Sequence, residues 1–301
     1  MKVAFFIHNG WAFGSIHRAL CKEFYLRGIF ATIIDWTQQY TLEEFDSFNQ
    51  SFDYFMTTPG NAITCLNNMG VSNGKIIAVA HAEWDIDFGL SEGNKFDEFA
   101  TYAVIAPELI DMSANRGITR IPKLVQNGIH FEWFYQKINS SLNTIGYAAK
   151  MQTLQWDGVT ERKRGYLVER VAKELGILFR PIDNRNFLGM PAYYKTVDCV
   201  MMSSIEEACG LSMMEGAAAG KMILGTNVGC LKTNPKAGFI LPFEDDDYVM
   251  QAKDLINLAV SNPHRYRDIC KNNQDYAREH YDWKHVIGGW INLLPNSIRS
   301  I

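Results

Sequence analysis

The stretch that most constrains this chain is Cys199-Val200-Met201-Met202, an apolar run suited to a buried strand, which Ser203-Ser204 then breaks. Gly210-Leu211-Ser212 opens a helix whose Gly216, Ala217, Ala218 and Ala219 are small enough for close packing on a sheet, and Gly220 supplies a left-handed stop. Lys221-Met222-Ile223-Leu224-Gly225 then returns as a second strand. A strand, a helix and a strand in so short a span predict a parallel α/β sheet. A helix start beyond a strand end has free backbone N–H groups and a positive dipole end, which suits phosphate. Glu207 lies before this helix and Glu215 one turn inside it, so two carboxylates can approach one ligand from different heights. Ser212-x-x-Glu215 is also a capping box, which explains the same residues without a ligand.

The pattern Glu207-x7-Glu215 with Gly210 between, then Glu215-Gly-Ala-Ala-Ala-Gly and Gly225-Thr226-Asn227-Val228-Gly229, resembles the donor-site signature of retaining GT-B glycosyltransferases. These are the family 4-like enzymes related to glycogen synthase and sucrose synthase. The resemblance implies two Rossmann-like doubly wound α/β domains facing across a cleft. It also implies a nucleoside-diphosphate sugar as donor substrate, UDP-sugar ahead of GDP-sugar, with no cofactor and no metal. By the same resemblance Glu207 contacts the transferred sugar and Glu215 the ribose, while Gly210, Leu211 and Ser212 present the helix start to the diphosphate.

The first half begins as strand, loop, helix and strand: Lys2–Ile7, then a loop to Gly14-Ser15, a helix from Ile16 to Arg27 with Ser15 as N-cap, and Phe30–Asp35. Gly14 stands where the family has a glycine loop, and the absence of a full G-x-G-x-x-G pattern argues against a nicotinamide-dependent oxidoreductase. The strand Lys75–His81 ends in His81-Ala82-Glu83-Trp84-Asp85, polar groups at a strand terminus, where open α/β sheets hold ligands. His81 resembles the family histidine that faces the sugar. Asp85-Ile86-Asp87 is a D-x-D triplet, a pattern that binds divalent metal in another glycosyltransferase class; here it reads as a loop on the acceptor side. Trp11, Glu83, Trp84 and Asp85 are the acceptor candidates.

Asn127-Gly128-Ile129-His130 resembles the family's turn out of the first domain, and the polar stretch from Gln136 to Asn143 reads as a linker. The expected domains are therefore 1–138 and 139–280, with a C-terminal helix over 281–301 crossing back to the first. In the second half, Thr144–Ala149 is a strand and Tyr166–Leu175 a helix preceded by the basic triplet Arg162-Lys163-Arg164. Cations at a helix start oppose its dipole, so an anion site is one reading and a solvated face the other. By resemblance Lys163 matches the family lysine on the donor diphosphate. The family arginine is missing, because Tyr147-Ala148-Ala149 follow Gly146; Lys150 or Arg162 is the substitute.

Charge and cysteine use narrow the class further. Of 301 residues 47% are hydrophobic and 21% charged, enough for two cores. Residues 1–127 carry 9 basic against 14 acidic side chains and 128–301 carry 20 against 19, with no basic amphipathic stripe to grip nucleic acid or anionic lipid. No run approaches the length of a bilayer span, and the start is too strand-like for a signal peptide, which points to a cytoplasmic protein. Cys21, Cys65, Cys199, Cys209, Cys230 and Cys270 lack metal-type spacing and read as reduced thiols. The function expected is glycosyl transfer with retention, by a hexosyl- or pentosyltransferase, to an acceptor left open between a glycan, a small molecule, a lipid-linked carrier and a nucleobase. A nucleotide-sugar epimerase or hydrolase of the same fold, and a catalytically degenerate partner subunit, are the alternatives. Oligomeric state is unassigned.

Overall fold

The computed structural model of the chain describes residues 1–154, 160–183, 187–207 and 209–295, the side chains of residues 11–13 and 42 excepted. Two compact units emerge: Met1–Gly128 joined by the chain from Trp283, and Ile129–Asp282. The stretch from Gln136 to Asn143, read from sequence as a linker, lies inside the second unit.

The first unit is built on six parallel strands: β1 (Lys2–Ile7), β2 (Phe30–Asp35), β3 (Tyr54–Thr57), β4 (Ile76–Ala80), β5 (Thr101–Val104) and β6 (Lys123–Leu124), in the order β2-β1-β3-β4-β5-β6. Phe5 stands level with Ile33 on one side and Met56 on the other. Val3–Ile7 and all of β4 are buried, which is why these strands read as unbroken apolar runs instead of alternating. Phe6, Phe45, Phe55, Ile63, Leu66 and Val104 belong to one core cluster of this sheet and its helices. The first helix is Trp11–Tyr25 with Gly10 as N-cap, so the expected start at Ser15 moves back by one turn. Gly14 is thus helical, and a Cβ there would meet the Asn9 carbonyl oxygen at 2.4 Å.

The helix Trp283–Ile291 closes the first unit. Trp290 Nε1 donates to the Gln126 carbonyl at 2.8 Å, and Thr101 Oγ1 donates to Leu293 at 2.7 Å. Gly128 has to be glycine: a Cβ would lie 2.7 Å from both Trp283 and Val286.

The second unit holds β7 (Thr144–Tyr147), β8 (Leu178–Pro181), β9 (Cys199–Met202), β10 (Met222–Thr226) and β11 (Phe239–Leu241), all parallel, in the order β11-β10-β9-β7-β8. Counted from its own first strand, the second sheet has the order 2-1-3-4-5 and the first the same order extended by a sixth strand, and in each the connections reverse direction between the first and third strands. Ligands of open parallel sheets sit beyond the carboxyl ends of the strands at that reversal. In the second unit this point lies between β7 and β9.

Candidate functional site

Four consecutive residues, Glu161 to Arg164, form a turn fixed beside the ends of β7 and β9. Glu161 Oε1 accepts the backbone N–H groups of Thr153 (2.7 Å), Lys163 (2.9 Å) and Arg164 (3.3 Å). Burial alone would raise the Glu161 pKa, but these three donors hold it below the usual carboxylate value. Ser203, the first residue after β9, donates to the Lys163 and Arg164 carbonyls at 2.9 and 2.8 Å, and the Tyr147 hydroxyl donates to Lys163 at 2.9 Å. Arg164 is left-handed (φ 49°), the one such non-glycine among the described residues. Its buried guanidinium donates to the Ser203 carbonyl at 2.8 Å and to Phe243, and pairs with Asp245 at 3.1 Å. These contacts offset a backbone strain of about 1–2 kcal/mol.

The basic triplet is matched residue by residue with carboxylates, which answers the dipole objection. Lys163 Nζ pairs with Glu207 Oε1, which also accepts from Ser204 Oγ at 2.9 Å. Arg162 Nε lies 3.8 Å from the Glu206 carboxylate. The Lys163 and Glu207 side chains are 17% and 14% exposed, mostly buried yet reachable from solvent. Lys150 is exposed, and its carbonyl accepts from the Tyr147 hydroxyl at 3.3 Å. Tyr147, which stands in the missing arginine's region, is buried in the core of this unit.

Gly210 enters the next helix, Leu211–Ala218, in the left-handed conformation (φ +68°) as its N-cap. Leu211 and Ser212 are therefore the first two helical residues, and the capping box expected from Ser212 and Glu215 does not form. Glu215 is instead buried (4% exposed), and its Oε2 accepts from the Tyr194 hydroxyl at 2.9 Å. Burial pushes the Glu215 pKa up to about 8, with the Tyr194 bond acting weakly the other way. The small residues act as expected: a Cβ on Gly216 would meet Val200 at 2.9 Å. Gly229 (φ +54°) closes the second glycine loop against the first, where a Cβ would lie 2.9 Å from the Cys209 carbonyl oxygen and 3.2 Å from Glu207 Cβ. Sequence reasoning missed Glu161 and Tyr194 as site-builders, and it had Arg164 and Gly229 only as members of the basic triplet and of the Gly225–Gly229 run.

In the first unit His81 follows β4 and is buried, its ring 6.1 Å from that of His17 and 6.3 Å from that of Trp290. Burial, reinforced by His17, lowers its pKa to about 3, so the imidazole is neutral. The acidic residues after it form no loop but the helix Glu83–Ser91. The reason is Asp85, whose Oδ2 accepts the N–H groups of His81 (2.6 Å) and Ala82 (3.0 Å) and so caps that helix. Its pKa is raised to about 7 by burial against the lowering effect of those two bonds. Glu83 and Asp87 both pair with Arg116 on the outer face, so Asp85 and Asp87 point apart. Among the described residues no group of three His, Cys, Asp or Glu could hold a metal ion. Trp84 is 37% exposed, and the Trp11 side chain lies outside the described residues. No described helix is long and apolar enough to cross a membrane.

No family model matches the sequence, and no curated protein matches it. Solved structures do. Sucrose-phosphate synthase from Thermosynechococcus elongatus is similar at TM-score 0.68 and 11% identity, over 97% of this chain and 98% of that one. HepE from Anabaena, in complex with UDP and glucose, is similar at TM-score 0.67 and 14% identity, over 98% and 100%. The catalytic domain of starch synthase IV from Arabidopsis thaliana, bound to ADP and acarbose, is similar at TM-score 0.67 and 11% identity, over 97% of each. With the two parallel-sheet units, these likenesses identify the two-domain Rossmann-like GT-B fold.

Proposed function

We propose that the chain is a glycosyltransferase that moves a hexosyl or pentosyl group from a nucleoside-diphosphate sugar, UDP-sugar ahead of GDP-sugar, to an acceptor. The observation that carries this reading is the mostly buried Lys163–Glu207 pair at the β7/β9 reversal, beside the helix start at Gly210. Departure of the diphosphate from the anomeric carbon develops negative charge on the leaving oxygens. On this reading Lys163, with the adjacent Arg162 and with Lys150 after β7, and the N–H groups of Leu211 and Ser212 stabilise that charge without a metal. Glu207, already oriented by Lys163 and Ser204, takes the sugar hydroxyls, and Glu215 takes the ribose. His81, a neutral imidazole, is the sugar contact assigned to the first unit, and configuration is retained. Within that unit we assign acceptor contacts to Trp11, Glu83 and Trp84, with Asp85 holding the helix that carries two of them. The domains are proposed to divide where the compact units do, in a cytoplasmic enzyme.

The test is donor turnover across a panel of sugar nucleotides with wild type, Glu207→Ala and Glu215→Ala. Loss of at least tenfold in either variant is expected. Unchanged turnover in both would sink the assignment, and epimer formation without acceptor would move the reading to an epimerase of this fold.

A further inference from the structure

The two glycine loops that flank Glu207 each carry a cysteine, and the fold brings them together from 21 positions apart in sequence. The Cys230 backbone N–H donates to the Cys209 carbonyl at 2.8 Å. A single N–H···O=C bond of that length holds the Cα atoms of the two residues within about 6–7 Å of each other, against the range of about 4.4–6.8 Å that a disulfide spans. The side chains converge as well. Cys209 Sγ lies 3.4 Å from Met214 Sδ, and Cys230 Sγ lies 3.8 Å from the Gly210 carbonyl oxygen, so both thiols point at the first turn of the Leu211–Ala218 helix.

We infer that Cys209 and Cys230 form a reversible disulfide site, closed by thiol–disulfide exchange with a small-molecule disulfide such as glutathione disulfide. Cys209 is partly exposed and Cys230 is buried, which sets the order of events. The Cys209 thiolate attacks one sulfur of the oxidant, forming a mixed disulfide and releasing one thiolate. Cys230, deprotonated as it reacts, attacks Cys209 Sγ and expels the second. Two protein thiols are oxidised, one small disulfide is reduced to two thiols, and two protons pass to those products. Burial raises the Cys230 pKa, consistent with its acting second and within the protein. The bond would tie the Gly229 turn to the loop that ends at Gly210, two residues from Glu207. This chemistry stands apart from the nucleotide-sugar reading.

The experiment uses the full chain, reduced and desalted, then equilibrated in glutathione buffers of increasing oxidised fraction, acid-quenched, alkylated and mapped by mass spectrometry. The expected result is loss of two of the six alkylatable thiols, with the Cys209 and Cys230 peptides linked. In Cys230→Ser a mixed disulfide should accumulate on Cys209, and in Cys209→Ser Cys230 should stay reduced. Alkylation at all six cysteines, a lasting mixed disulfide on wild-type Cys209, or a link to any other cysteine would overturn the inference. Should a serine variant fail to fold by circular dichroism, the wild-type map decides alone.

Discussion

Glu215→Gln converts the buried acid of the Leu211–Ala218 helix into a neutral group of nearly the same shape, and its consequence depends on pH. The carboxyl's pKa is about 8 in the folded chain against a reference value of 4.5. Between these values the unfolded chain has lost a proton that the native chain keeps, so native stability falls as pH rises through the window. It is fully present below about pH 4.5 and flattens above about pH 8. Integrated from pH 5 to 8, the loss is about 3 kcal/mol for this one group. Glutamine does not titrate, so the variant escapes that loss. The two proteins should melt within a few degrees of one another at pH 5, with Glu215→Gln gaining on wild type by about 6–12 °C at pH 8 for a unit of this size. Differential scanning fluorimetry of both proteins across that range measures the difference, and the titration of Asp85 cancels because both proteins carry it. A melting difference that stays constant with pH would refute the raised pKa, and with it the description of Glu215 as a desolvated acid.

Tyr194→Phe should destabilise the second unit by about 1–3 kcal/mol, because the Glu215 carboxyl loses its hydroxyl donor. That hydroxyl lowers the Glu215 pKa, so the pH window seen by fluorimetry should also move upward. Gly229→Ala forces a side chain into a left-handed position 2.9 Å from the Cys209 carbonyl oxygen; a loss of about 1–3 kcal/mol, with faster hydrogen exchange around Cys209–Leu211, is expected. Asp85→Ala removes the acceptor of two N–H groups at the start of the Glu83–Ser91 helix, and chemical denaturation should record a loss of about 2 kcal/mol, partly restored in Asp85→Asn.

The strands were legible wherever both faces of a sheet are covered, since Val3–Ile7, Ile76–Ala80 and Cys199–Met202 then carry nothing but apolar or small residues. The helices between β2 and β4 were not. Among its described side chains Leu42–Ser51 buries only Phe45 fully, so its apolar period is faint. A start signal was nevertheless present: Thr41-x-x-Glu44 forms a true capping box, with bonds of 3.2 and 2.8 Å. The first helix begins at Trp11 because Gly10 caps it without a side chain, leaving no local mark of its start. Of the candidate site, Glu207, Gly210 and Glu215 were singled out by resemblance to the family's donor-site pattern. Tyr194 could not be, because it meets Glu215 only through packing of segments 21 residues apart. The left-handed Arg164 is equally hidden, since its conformation is held by Ser203, Phe243 and Asp245.

Two buried carboxylates, one on a helix of each unit, bear on how the capping pattern should be weighed. Asp85, which the sequence offered as a ligand residue, accepts two N–H groups at its own helix start, and these offset part of its desolvation. Glu215, which the sequence offered equally well as a capping residue, reaches no N–H group of its helix, and among the described residues receives one hydrogen bond, from Tyr194. A carboxyl group can accept several hydrogen bonds, and burying it with one partner costs more than capping would require. A helix built only for stability would do better with glutamine or an aliphatic residue at this position. On the function proposed above, the unfilled hydrogen-bonding capacity of Glu215 beside the Gly210 helix start is what the ribose hydroxyls of a nucleotide would meet.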